Sequence, residues 1–155
     1  MIVYRICSTT YANDLNGTGA ALYGGRWNPS GLALLYTAGS ISLSYLEYLA
    51  HNIHILNPKK ISLVKIKIDA SSKIQEIDSV TLSMDWRTNA YMPAITQKLG
   101  KDFITQRRSY ILKVPSAIVP DEHNYLLNPL HPDHKSAHVI EQIDSFEIDK
   151  RFLVT

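Results

Sequence analysis

At 155 residues with 45% hydrophobic content, the chain has the length of one domain and enough apolar side chains to bury a core without a covalent staple. Sixteen Lys and Arg against fourteen Asp and Glu leave a net charge of +2, and the basic residues are scattered apart from Lys59-Lys60 and Arg107-Arg108, which argues against the basic face of a direct nucleic-acid binder. A single cysteine, Cys7, excludes an internal disulfide, and no basic-then-apolar leader or apolar run of about 20 residues marks export or a membrane span, so a reducing cytoplasm is the expected compartment.

In chain order, Ile2 to Cys7 reads as a half-buried opening strand in which Cys7 is a packed, inert thiol. Polar residues and glycines from Asn13 to Gly25 read as a loop. A strand is predicted over Leu32 to Thr37. Ser40 or Ser42 can cap a helix running to about His54, because Ser42, Tyr45, Leu46, Leu49 and Ile53 recur at helical spacing, and Asn57-Pro58 ends it. Ile61 to Asp69 alternates apolar with polar and is the clearest strand. A weaker strand near Ile74 to Val80 precedes a helical region from about Ala90 to Gln106, bent or broken at Pro93 and Gly100. Tyr110 to Val114, Tyr125 to Leu127 and a stretch near Ser145 to Ile148 complete the strands. No repeat, low-complexity tract or linker interrupts the pattern, so residues 1–155 read as one domain. Strands outnumber helices without alternating regularly with them, which predicts an α+β domain rather than a doubly wound sheet.

Three constellations look chemical, and two fail on context. Asn16 to Leu22 imitates the start of a G-x-G-x-x-G fingerprint, but Leu22 stands where the third glycine belongs and no strand leads into it. His131, His134 and His138 have helix-like spacing, yet Pro132-Asp133 implies a turn into a short helix, and neither cysteine nor H-E-x-x-H supports zinc. Ser116, a single residue outside these constellations, lacks the G-x-S-x-G elbow of a nucleophilic serine. The third constellation is Arg26, Tyr36 and Glu47. Arg26 follows Gly24-Gly25, so its guanidinium can approach an anion such as a pyrophosphate without steric competition. Glu47 lies about 100° around the helix from Leu46, on the shoulder of the apolar stripe, where it can face a cleft or be an ordinary surface carboxylate.

Gly24-Gly25-Arg26-Trp27-Asn28-Pro29-Ser30-Gly31, Leu35-Tyr36-Thr37-Ala38, Leu46-Glu47-Tyr48-Leu49-Ala50-His51, Val114-Pro115-Ser116-Ala117-Ile118-Val119-Pro120 and Asn124-Tyr125-Leu126-Leu127-Asn128-Pro129-Leu130-His131-Pro132-Asp133 together resemble the RES domain, the toxin of a bacterial toxin–antitoxin pair. The family is named for an Arg, a Glu and a Ser, which map onto Arg26, Glu47 and Ser116. The resemblance runs from Tyr4-Arg5-Ile6 to the tail near Phe146. It implies a single domain related to the ADP-ribosyltransferase toxins, with a central mixed sheet and flanking helices. The implied substrate is NAD+, consumed rather than held as a prosthetic group, with its nicotinamide–ribose bond broken by hydrolysis or phosphorolysis. Transfer of ADP-ribose to a protein is the alternative within the same chemistry, and an inert partner- or nucleotide-binding domain is the alternative of another class. The implied partner is a helix-turn-helix antitoxin that blocks the cleft, with homodimerisation inside that complex left open. Leu82-Ser83-Met84-Asp85-Trp86 departs from the family's Leu-Pro-x-x-Trp segment, where Trp86 is expected to keep a packing role.

The resemblance also distributes roles. Departure of nicotinamide leaves an oxocarbenium-like ribose and a neutral leaving group, so one carboxylate suffices where ordinary glycosidases use two. Glu47 is expected to bond the ribose hydroxyls and stabilise that charge. Arg26, helped by Arg5, clamps phosphate or carboxamide oxygens. Tyr36 offers a stacking face and a hydroxyl to the nicotinamide end, and Ser116 and Asn128 orient the ligand. No metal is called for. Read without the family, Tyr36, Ser116 and Asn128 are a packed strand tyrosine, a turn serine and an Asn-Pro turn.

Overall fold

Two strand sequences rich in apolar residues lie side by side and together bury most of their length. β1 (Ile2–Ser8) pairs antiparallel with β3 (Ile61–Lys67), from Ile2 opposite Lys67 to Ser8 opposite Ile61. The computed structural model describes residues 1–52, 60–82, 85–87, 94–149 and 151. Around this pair lie α1 (Thr18–Tyr23), β2 (Leu35–Ala38), α2 (Ile41–Asn52), β4 (Ile74–Glu76), α3 (Ala94–Gln106), β5 (Ile111–Pro115), β6 (His123–Leu127) and β7 (His138–Phe146). The strands form one seven-stranded sheet in the order β4-β5-β6-β2-β1-β3-β7. β4 and β5 are parallel and the other neighbours antiparallel, so the fold is α+β with a mixed sheet.

Successive residues of β5 and β6 point to opposite faces and feed two cores. Ile111 and Leu127 join Val3, Leu35, Val64, Ile66 and Tyr110 on one side. Leu112, Val114 and Leu126 join Trp27, Leu34, Phe103 and Ile104 on the other, where α3 packs. Each buried Leu, Ile or Phe contributes about 1.5–3 kcal/mol relative to exposure, so the two clusters fix the central strands from both faces.

Several boundaries differ from the sequence reading. The expected loop from Asn13 to Gly25 contains α1, whose cap position is Gly17 and whose first residue is held from upstream: the Asp14 carboxylate accepts from the Thr18 backbone N–H at 3.0 Å and from the Thr18 hydroxyl at 3.1 Å. Ser40 is the cap of α2, accepting the Leu43 N–H at 3.1 Å. The buried stripe of α2 is Leu43, Ser44 and Leu49, with Ser42 exposed, a rotation that turns Glu47, one turn after Leu43, inward. The expected end of this helix at His54 and its Asn57-Pro58 stop lie outside the described residues, as do residues 90–93 with Pro93. α3 runs unbroken through Gly100. An ideal Cβ at Gly100 would overlap the Trp27 carbonyl oxygen. That glycine marks a close approach, not a bend.

β4 is shorter than expected because Asp78 accepts the Val80 N–H at 3.0 Å and starts a 3-10 turn. β7 starts well before Ser145. It is an edge strand whose polar residues pair along the sheet, Ser62 donating to Asp144 at 2.6 Å and Lys65 to Glu141 at 2.6 Å, so its apolar alternation is weak. Among the described residues, no helix is long and apolar enough to cross a membrane.

Candidate active site

Glu47 sits half-buried on the inward face of α2, against the ends of β5 and β6. Its Oε1 accepts from Asn124 Nδ2 at 2.6 Å and from the Ser116 hydroxyl at 3.1 Å. Ser116 follows β5 and is 2% exposed. Its Oγ accepts the Ile118 and Val119 N–H groups at 3.0 and 3.1 Å, which leaves its proton to point at the carboxylate. The carboxylate faces a cleft of about 520 Å³ that Arg5, Arg26, Tyr36, Tyr48 and Asn124 also line. That volume suits a bound small molecule, and two guanidiniums give it a field for an anion.

The loop carrying Arg26 is held from both sides. Tyr36 donates to Asn28 Oδ1 at 2.7 Å and accepts the Trp27 N–H at 3.0 Å. Asn28, fully buried, donates to the Ala20 and Leu32 carbonyls at 2.8 Å each. From α3, Thr96 bonds the Arg26 carbonyl at 2.5 Å and Gln97 the Gly25 carbonyl at 2.9 Å. A Cβ on Gly25 would meet the Tyr36 hydroxyl at 2.6 Å, so only glycine lets the loop seat on that phenol. The Arg26 guanidinium donates to the Trp86 carbonyl at 2.6 Å and lies 5.9 Å from the Trp86 ring centroid, and that ring packs on Trp27 at 6.3 Å. Arg5 donates to the Asp14 and Tyr11 carbonyls at 2.6 and 3.3 Å, tying the chain after β1 to the cleft wall. Cys7 is also on that wall, where burial pushes its thiol up against the opposing Arg5 cation.

The family model described as RES domain matches residues 2–149. The chain belongs to the RES domain family. It is 39% identical over 156 residues to Toxin Res of Photorhabdus laumondii, covering 99% of this chain and 97% of that protein. It is 37% identical over 152 residues to Toxin Res of Yersinia enterocolitica, covering 97% and 99%, and 35% identical over 136 residues to the Prs ADP-ribosylating toxin of a Sphingobium species, covering 82% and 80%. Among solved structures, the M. tuberculosis MbcT-MbcA toxin-antitoxin complex contains a chain that matches with a TM-score of 0.75 at 18% identity, over 92% of this chain and 82% of that one. That likeness is one of fold. The membership is in a family of toxins.

Within this RES domain, Glu47 and Ser116 are in direct contact, and Arg26 lines the same cleft. Two of the expected site residues have their polar groups committed within the protein. Asn128 is fully buried and away from the cleft; its Nδ2 bonds the Ile104 carbonyl and its Oδ1 accepts the Leu130 N–H, each at 3.0 Å. The Asn-Pro turn uses that carboxamide internally, and its full burial keeps it from a ligand in the cleft. Tyr36 does line the cleft, but its hydroxyl is committed to the Arg26 loop, and burial pushes the phenol up so that it stays a neutral donor. The histidines are occupied locally. His131 Nδ1 accepts the Asp133 N–H at 3.1 Å, His134 Nδ1 bonds the Tyr110 hydroxyl at 3.0 Å, and His138 Nδ1 lies 2.9 Å from the Ser136 carbonyl. Asn124, Tyr48 and His51 escaped sequence reasoning. For Asn124 a signal existed: it precedes Leu126 by two in a strand and so shares the face on which Leu126 lies opposite Leu112.

Proposed function

We propose that this RES domain cleaves the nicotinamide–ribose bond of NAD+, passing ADP-ribose to water or phosphate, and that it does so as the toxin of a toxin–antitoxin pair acting in the cytoplasm. The observation that carries the reading is Glu47: a carboxylate with one oxygen fixed by Asn124 and Ser116, at a cleft that also receives Arg5 and Arg26. As the bond between ribose C1′ and the nicotinamide nitrogen breaks, its electron pair leaves with nicotinamide, which departs neutral, and positive charge builds on the ribose. Glu47 stabilises that charge from a preorganised position. Arg26 and Arg5 attract the pyrophosphate. Water or phosphate then adds at C1′ and releases its proton.

An antitoxin partner is supported by the toxin-antitoxin complex among the fold's neighbours. A helix-turn-helix antitoxin that inserts an acidic segment into this positive cleft would compete with NAD+. The Sphingobium relative, named an ADP-ribosylating toxin, favours a second reading in which a protein side chain is the acceptor. Incubating purified protein with NAD+, with and without phosphate, tests the two. Nicotinamide with free ADP-ribose or its phosphate ester supports the first reading. ADP-ribose covalently attached to protein supports the second, and no nicotinamide release refutes both.

A further inference from the structure

We infer that Asn124 is the positioning residue of Glu47, deciding which carboxylate oxygen meets the substrate; the inference rests on the NAD+-cleaving reading. Both donors that reach Glu47 converge on Oε1, Asn124 at 2.6 Å and Ser116 at 3.1 Å. Among the described residues no hydrogen bond engages Oε2, so that oxygen is the one open to a ligand in the cleft that Glu47 lines. A glutamate on a helix otherwise samples several rotamers, and each unproductive one removes the charge from the ribose. The clamp selects one.

The two donors are not equivalent. Ser116 is 2% exposed and is anchored by two backbone N–H groups of its own turn. Asn124 is part of the cleft lining. It stands on β6, opposite Val114 of β5 and Ala38 of β2, so its backbone is fixed by a ladder on either side. A carboxamide on a central strand is a rigid donor, and its bond to a charged acceptor is the strong kind. The three-residue signature Arg26, Glu47 and Ser116 therefore omits the shorter of the two contacts that orient its carboxylate.

The test uses Asn124→Ala and Asn124→Asp, with kcat, KM for NAD+ and melting temperature measured from about pH 5 to about pH 8. Loss of a charge-assisted bond in Asn124→Ala should lower kcat by roughly ten- to a hundredfold and change KM by less than about threefold. In Asn124→Asp, two carboxylates face each other and share a proton only on acidification, which restores an O–H donor. Its activity relative to wild type should therefore rise at least about tenfold from pH 8 to pH 5. Unchanged kcat in Asn124→Ala would overturn the inference. So would an Asn124→Asp ratio that is flat with pH. If the wild type releases no nicotinamide, the NAD+ reading fails by itself, and growth arrest on bacterial expression becomes the readout. Tolerance of Asn124→Ala where wild type and Ser30→Ala arrest growth would then support the positioning role, and arrest by Asn124→Ala equal to wild type would refute it.

Discussion

Replacing Gly100 with alanine sets helix propensity against the packing of the active-site loop. In an isolated helix the change stabilises by about 1 kcal/mol. Here the new Cβ would overlap the Trp27 carbonyl oxygen and come within 2.8 Å of the carbonyl carbon. Both obstacles are backbone, so the loop bearing Arg26 has to retreat by on the order of 1 Å before the contact is tolerable. That retreat strains the Thr96 and Gln97 bonds to the Arg26 and Gly25 carbonyls. Overpacking of this kind costs about 1–3 kcal/mol, which lowers the melting temperature by roughly 2–12 °C in a domain of this size. A displacement near 1 Å also costs about a hundredfold in turnover when the moved group orients substrate. Gly19 in α1 is the control, since a Cβ there meets nothing within 4 Å. Calorimetry should show Gly100→Ala melting lower and Gly19→Ala melting at or above wild type, and the Gly100→Ala chain should lose NAD+ turnover. A Gly100→Ala chain as stable and active as wild type would refute the claim that α3 sets the position of Arg26.

Tyr36→Phe strands the Trp27 N–H and Asn28 Oδ1, so chemical denaturation should show a loss of about 1–3 kcal/mol, with the KM for NAD+ rising as the Arg26 loop loosens; an unchanged KM would break the link between that hydroxyl and Arg26. Asn128→Ala leaves the Ile104 carbonyl and Leu130 N–H unpaired and should cost about 1–3 kcal/mol while any folded fraction retains wild-type KM; a KM effect without a stability effect would restore Asn128 to the site. His134 is held below its ordinary value of 6.5 by burial. The unfolded chain then binds more protons than the folded one as pH falls through that value, so this contribution is present above it and lost below it. Melting temperature should fall between about pH 7 and pH 5, and His134→Gln should flatten that limb; an equally steep limb in the variant would assign it to another group.

The sheet was legible where a strand is rich in apolar and β-branched residues. β1 and β3 run to within one or two residues of their expected ends, with Ile61 to Val64 of β3 buried in succession. β7 was not legible, because an edge strand bonded along its length by Asp144 and Glu141 carries a polar sequence that resembles a loop. α1 was hidden by its glycines, since the side chain that holds its first residue is that of Asp14, four residues ahead of Thr18. At the site, residue type singled out Arg26 and Glu47, the family resemblance added Ser116, and the fold brings Glu47 and Ser116 into contact. The choice between Asn124 and Asn128 depends on which strand face a carboxamide occupies and on a helix carbonyl 24 residues away. Neither is written locally. Tyr36 was legible as a cleft residue, but the commitment of its hydroxyl required the path of the loop from Gly25 to Asn28.

The most direct test of the central claim compares nicotinamide release by the wild-type chain and by Glu47→Gln, with NAD+ affinity measured separately on the inactive chain. Gln keeps the shape of the side chain and removes the charge that the ribose cation needs. Turnover should fall by roughly a thousandfold or more while the dissociation constant for NAD+ changes by less than about threefold, because the interaction lost belongs to the transition state. Near wild-type nicotinamide release by Glu47→Gln would contradict the account.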